Sequence, residues 1–307
     1  MQNTDTLLMI RPVAFRFNPE TAENNYFQKN KEGENVQEKA LAEFNTLVKK
    51  LKDKGINVIE IDDTLEPHTP DSIYPNNWIS MQHDGSVVLY PMYAKNRRWE
   101  RRTDIVEYLQ KHFEVKQIDD RSTTERENRF LEGTGSIIFD HDNKIAYGCV
   151  SERLDKELFI DFCKEYNFKL IAFNAFQTVN KQRLPIYHTN VLMSVAKEFV
   201  VICLATIDDK VEQKQLIDTI VNSGKEIMDI SEEQMHHFAG NMLQVKNTDG
   251  NSFMVMSTAA FNSLTHYQKL FIEKYSEIIH SDLSTIEENG GGSARCMIAE
   301  VFLEKRK

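Results

Sequence analysis

The sequence predicts a mixed α/β protein built as a five-bladed α/β propeller of ββαβ units with pseudo-fivefold symmetry. Three observations point there. Asn77, Glu132, His188, Asn241 and Cys296 follow one another at intervals of 55, 56, 53 and 55 residues, each just before or within the start of an apolar, strand-like run. Four segments read as β-hairpins, and a stretch of helical periodicity follows each. Helices between the strands exclude the usual all-β blade and favour an α/β ring around a narrow central cavity.

The elements follow in order. A strand-like run at residues 7–17 precedes a helical stretch at 36–54 and a closing strand at 56–61, a unit without a complete hairpin. Hairpins at 78–92, 134–150, 190–204 and 241–257 turn around His83-Asp84-Gly85, His141-Asp142-Asn143, Lys197-Glu198 and Asn247-Thr248-Asp249-Gly250. Asx-Gly and Asx-Asn pairs between alternating apolar residues are hairpin signals. Helical stretches at 97–111, 153–166, 208–223 and 259–279 come next, and strands at 113–118, 168–173 and 226–230 close three of the units. Residues 297–303 are expected to supply the missing hairpin arm beside the N-terminal run, closing the ring with the termini adjacent. No Pro/Gly/Ser linker divides the chain, so residues 1–307 are expected to form a single catalytic domain.

Composition narrows the function classes. Hydrophobic residues at 41% and charged residues at 27% are ordinary for a soluble globular protein, and no apolar stretch is long enough to cross a bilayer. Residues 1–6 lack a basic region followed by an apolar core, so no signal peptide is expected and a cytoplasmic location is the default. A net charge of −10 argues against a nucleic-acid partner, and Arg97, Arg98, Arg101 and Arg102 read as the start of a solvated helix with one member turned inward. Cys149, Cys163, Cys203 and Cys296 form no C-x-x-C pair and no tight Cys/His cluster, which supports neither a metal site nor a disulfide framework. Oligomeric state is not legible, and a homo-oligomer stays open.

Three of the cysteines lie in apolar strands or a helix and read as small buried hydrophobes. Cys296 differs. Gly290-Gly291-Gly292-Ser293-Ala294-Arg295 leads into it, and glycine permits close ligand approach and amides aimed at negative charge developing on a substrate oxygen. For an isolated motif the alternative is a Gly-rich turn ending in one more core cysteine, but the register shared with His188 and Glu132 favours a nucleophile. His188, titrating near neutral pH, can shift protons for thiolate attack and for the leaving group, and Glu132 adds a carboxylate one unit earlier.

The motifs Phe130-Leu131-Glu132-Gly133, Tyr187-His188-Thr189-Asn190 and Gly290-Gly291-Gly292-Ser293-Ala294-Arg295-Cys296-Met297, in this order, resemble those of the guanidine-modifying superfamily of arginine deiminases, amidinotransferases and dimethylarginine dimethylaminohydrolases. The resemblance covers nearly the whole chain. It implies a catalytic set of Cys296, His188 and Glu132, with no metal and no organic cofactor, acting on a small amino-acid substrate. By similarity to the dimethylaminohydrolases, Asp71 in Pro70-Asp71-Ser72 holds the substrate's amino end, while Arg97 or Arg98, and Arg153, bind its carboxylate, for which an Arg fork is suited.

Departures from the family pattern bear on the substrate. Asn76 and Asn77 stand where acidic residues normally hold a guanidinium, and Asn190 stands where deiminases and amidinotransferases have an acidic residue. A carboxylate only accepts hydrogen bonds, whereas a carboxamide also donates and can face a carbonyl oxygen. A ureido head carries such an oxygen, so the expectation is a citrulline hydrolase releasing ornithine, carbon dioxide and ammonia. Arginine deiminase or dimethylargininase, amidinotransferase and a non-enzymatic propeller binding module are the alternatives. The polar stretch 17–27 is expected as a lid over the cavity mouth.

Overall fold

The computed structural model describes residues 1–30 and 35–306. Among the described residues five three-stranded sheets share one connectivity: an antiparallel pair, then a helical crossover, then a third strand parallel to the second. In the second sheet Ile79–Met81 pairs with Ser86–Leu89, which pairs with Gln117–Asp120. The third sheet is Ile137–Asp140, Ile145–Cys149 and Lys169–Phe173, and the fourth is Met193–Val195, Phe199–Ile202 and Glu226–Asp229. Leu243–Lys246, Ser252–Ser257 and Glu277–Ser281 make the fifth.

The first sheet joins the two ends of the chain. Thr6–Arg11 runs parallel to Asn57–Asp62 and antiparallel to Ala299–Glu300, with Leu7 opposite Glu300 and Leu8 opposite Ala299. The expected pairing therefore forms, over a shorter stretch than residues 297–303 and 7–17. Thr4 Oγ1 donates to the Val301 carbonyl at 2.6 Å, tying the ends further.

The crossover helices follow the amphipathic pattern. Val36–Asp53 buries Ala40, Phe44, Leu47, Val48 and Leu51 on one face, and Lys156–Glu165 buries Phe159, Phe162 and Cys163. Asp155 starts the latter by accepting from the Leu158 amide, two residues inside the expected start at 153. The helix expected from Arg97 begins only at Thr103, because the preceding turn Asn96–Glu100 buries Arg97 and Glu100. Lys210–Asn222 fills the fourth crossover, capped by Asp209.

Two expectations need correction. The helical stretch at 259–279 is two helices, Thr258–Ser263 and His266–Glu273, followed by a strand. Thr265 and Gln268 form a capping box that restarts the helix, and Glu277–Ser281 closes the fifth unit, for which the sequence pattern predicts no closing strand. A further hairpin, Phe176–Val179 with Gln182–Pro185, precedes the His188 motif. Its loop is Asn180-Lys181, both left-handed at φ 50° and 68°, a two-residue turn without the glycine that would have announced it.

A short turn precedes the first strand of three sheets: Pro75–Asn77, Gly133–Ser136 and Thr189–Leu192. Gly133–Ser136 touches both of the others, and Met193–Val195 touches the first strands of the third and fifth sheets. Asn77, Glu132 and His188 thus sit at equivalent points of their sheets, in or immediately before these turns. Among the described residues no helix is long and apolar enough to cross a membrane.

Candidate functional site

Thr21, Asn25, Asp71, Tyr74, Asn77, Arg97, Arg153, Tyr187, His188, Gly290, Gly291, Gly292 and Cys296 line one small cavity. The space open to water is about 20 Å³, room for roughly one or two molecules. Residues from both ends of the sequence meet here.

The sulfur is held by carboxamides. Asn190 Nδ2 lies 3.3 Å and Asn241 Nδ2 lies 3.2 Å from Cys296 Sγ, both as donors. Cys296 is nearly buried, and all four cysteines are free. Burial pushes the Cys149, Cys163 and Cys203 thiols up to about 12, consistent with their reading as packing residues.

Glu132 and His188 form a buried pair, Glu132 Oε2 lying 2.8 Å from His188 Nε2. The other carboxylate oxygen accepts the Tyr93 amide at 2.9 Å, and Arg153 Nη1 lies 3.5 Å from Oε2. Burial alone would raise the Glu132 carboxyl, but Arg153, the His188 bond and Arg97 outweigh it and bring it down to about 2. Burial lowers His188 to about 4 against the opposing pull of Glu132. At neutral pH the pair is a carboxylate and a neutral imidazole, which assigns the ring proton to Nε2 and leaves Nδ1 with a lone pair.

Arg97 is buried and committed within the protein. Its Nε and Nη2 grip Glu100 at 2.9 Å each, Nη2 also donates to the Tyr74 carbonyl at 3.1 Å, and Nη1 donates to Asn77 Oδ1 at 2.7 Å. Burial opposes the charge, and Glu100, with Asp71 and Glu132, overcomes it and keeps Arg97 protonated. Because Asn77 Oδ1 is occupied, its Nδ2 is the free end, buried without a partner. Asn190 Oδ1, Asp71 Oδ1 and both amide atoms of Asn76 are likewise buried and unpartnered.

Arg98 goes elsewhere. Its Nε donates to the Met92 carbonyl at 3.1 Å and lies 3.4 Å from Glu125, on the outer side of the turn. Asn76 is buried but does not line the cavity. Arg153 does, with its guanidinium 4.8 Å from the Tyr187 ring centre.

The stretch 18–28 covers the site. Asn18 Nδ2 and Thr21 Oγ1 donate to Asp71 Oδ2 at 2.7 and 2.9 Å, and Arg153 Nε donates to Asn24 Oδ1 at 3.0 Å. Burial raises the Asp71 carboxyl, with Arg97 the main opposing influence.

The glycine run serves packing. A Cβ on Gly290 would come within 2.1 Å of the Tyr74 hydroxyl and one on Gly292 within 2.8 Å of the Tyr74 ring. The Gly291 and Cys296 amides already donate to Glu287 and Ser293 carbonyls, at 2.9 and 3.0 Å, so these two do not serve as the expected oxyanion donors. Sequence reasoning missed Tyr74, Tyr187, Thr21 and Asn25 as lining residues, and left Asn241 without a role despite its register.

The family described as N,N dimethylarginine dimethylhydrolase, eukaryotic, matches residues 11–303. Among solved structures, the N-terminal domain of ArgZ, an arginine dihydrolase from the ornithine-ammonia cycle in cyanobacteria, aligns at TM-score 0.72 and 16% identity, covering 96% of this chain and 97% of that one. The chain spans 40% of apo ArgZ. A ternary complex of AgrE with ornithine and NAD+ aligns at TM-score 0.73 and 15% identity, covering 98% of this chain and 40% of that one. The DDAH from Pseudomonas aeruginosa, a cysteine-to-serine variant complexed with citrulline, aligns at TM-score 0.65 and 12% identity, covering 98% and 100%. No curated protein matches the chain. The match from residue 11 to residue 303 settles the lineage: the chain belongs to the N,N dimethylarginine dimethylhydrolase family, within the guanidine-modifying pentein superfamily.

Proposed function

We propose that this chain is a cysteine-dependent hydrolase that cleaves the ureido group of L-citrulline to ornithine, carbon dioxide and ammonia, with its five sheets arranged as the blades of one propeller around the cavity. The observation that carries the reading is the amide environment of the sulfur. Asn77 offers a free Nδ2 donor, its orientation fixed by Arg97, and Asn190 offers a free Oδ1 acceptor. A ureido carbonyl and its N–H groups complement this pair, whereas an all-donor guanidinium would leave Asn77 Nδ2 unmatched.

In the proposed mechanism His188 takes the Cys296 proton, and sulfur attacks the ureido carbon. The carbonyl electron pair moves to oxygen, which Asn77 Nδ2 stabilises. The intermediate collapses, the C–N bond breaks, and His188 returns the proton to the departing nitrogen. Water, deprotonated by His188, then attacks the cysteinyl carbon, the S–C bond breaks with its electrons returning to sulfur, and the carbamate released takes up a proton on nitrogen and breaks its remaining C–N bond to give carbon dioxide and the second amine. Glu132 holds the imidazole through Nε2 throughout. Asp71 and Arg153 serve the substrate's amino-acid end once they exchange their partners in the stretch 18–28; Arg97 acts through Asn77.

Arginine is the second reading, favoured by the likeness to ArgZ, which is described as an arginine dihydrolase. An assay of purified protein with citrulline, arginine and methylated arginines, detecting ornithine, citrulline and ammonia, separates the two. Ornithine formed from citrulline in water supports the proposal. Turnover of arginine or methylarginine with citrulline left unconsumed overturns it.

A further inference from the structure

We propose that Asn241 is a catalytic residue that stabilises the Cys296 thiolate, an inference that rests on Cys296 being the nucleophile. Its side chain bonds at every position. Nδ2 donates to Cys296 Sγ at 3.2 Å and to the Asn190 carbonyl at 3.0 Å, and Oδ1 accepts the Arg295 amide at 3.1 Å. One carboxamide thereby fixes the residue before the sulfur, the backbone of the second sulfur donor, and the sulfur itself.

The backbone is shaped to put it there. Gly240 presses so closely on the neighbouring chain that a Cβ would lie 2.3 Å from the Val191 carbonyl oxygen. Phe238 holds a left-handed φ of 64°, rare for a bulky residue and characteristic of sites that constrain the chain. Asn241 also occupies the register shared by Asn77, Glu132, His188 and Cys296, the one position of the five without a role so far.

The chemistry calls for a neutral donor. The cavity that the sulfur faces holds Asp71, Arg97, Arg153, His188 and the phenols of Tyr74 and Tyr187, with Glu132 behind His188. Hydrogen bonds to an ionised sulfur are stronger than those to a thiol, so two carboxamide donors favour the thiolate without adding a charge. When the S–C bond later breaks, the electron pair returning to sulfur meets the same two donors.

The test is the pH dependence of Cys296 alkylation by iodoacetamide, followed by mass spectrometry, in the wild type, Asn241→Leu and Asn241→Asp. Both variants are checked for folding by circular dichroism and thermal melting. The proposal expects the midpoint of the profile to rise by about one to two pH units in Asn241→Leu, with the plateau rate at high pH retained and kcat/KM at pH 7 reduced at least about tenfold. Asn241→Asp, isosteric but anionic, should raise the midpoint further and serves if the leucine variant does not fold. An unchanged midpoint in a folded variant overturns the proposal. Cys296→Ser, assayed in parallel, keeps the two readings apart: retained turnover there removes the nucleophile, whereas an inactive serine variant with an unmoved midpoint removes only Asn241.

Discussion

Glu132 and His188 take their ionisation states from their surroundings. Burial and Arg153 leave His188 neutral well below its ordinary range, while Arg153 and His188 keep Glu132 ionised. A base of this kind stops working when it gains a proton, so activity is lost as pH falls through its folded value. The acid limb of kcat/KM for citrulline should therefore centre near 4 instead of the ordinary 6.5, as measured by initial rates from pH 3.5 to 8. A limb at 6.5 would remove His188 as the buried base. The paired substitution of Asn77 and Asn190 by Asp should lower kcat/KM for citrulline by roughly tenfold to a hundredfold, read by ornithine release. Unchanged citrulline kinetics would defeat the ureido argument. Cys296, His188 and Glu132 stand out in the sequence because chemistry-bearing residue types recur at one spacing, and the structure puts His188 and Cys296 in one cavity with Glu132 bonded to His188. Tyr74 and Tyr187 were not, because an aromatic residue that lines a site looks in sequence like one that fills a core.

Local signals located elements better than their ends. Asp155 and Asp209 mark helix starts, and Gly85 and Gly250 mark hairpin turns, at φ 95° and 87°. The closing strand Glu277–Ser281 was absorbed into a helix because Ile278 and Ile279 continue an apolar rhythm past a restart that only the Thr265 capping box reveals. The hairpin at 176–185 escaped because Asn180 and Lys181 take left-handed conformations without glycine. The Gly290–Gly292 run stands out in the sequence, yet its reason lies in Tyr74, far away along the chain. Gly290→Ala should force Tyr74 aside, costing about 1–3 kcal/mol by urea unfolding and lowering citrulline turnover. A variant with unchanged stability and activity would show that Tyr74 yields freely.

At the scale of the molecule, the repeat interval and the N- to C-terminal strand pairing were both readable, since each depends only on pattern and length. How the sheets face one another was not, because it depends on contacts such as Met81 with Val301, which no local signal encodes. The stretch 17–27 is expected over the cavity from its polarity, its lack of periodicity and its place after the ring-closing strand, but its anchors are hidden in the sequence: Asn18 and Thr21 on Asp71, Asn24 on Arg153. Asn24→Ala should speed iodoacetamide labelling of Cys296 by roughly tenfold if breaking that anchor opens the site at a cost of about 1.4 kcal/mol less than in the wild type. Equal labelling rates would show that the covering is held by other contacts. Asp71 and Arg153, the groups proposed to greet the incoming amino acid, are the same ones that keep the door latched. Under the proposed roles admission is a swap of partners: a visitor without its ammonium leaves Asp71 on Asn18 and Thr21, and one without its carboxylate leaves Arg153 on Asn24, so that either is screened out before it meets the sulfur.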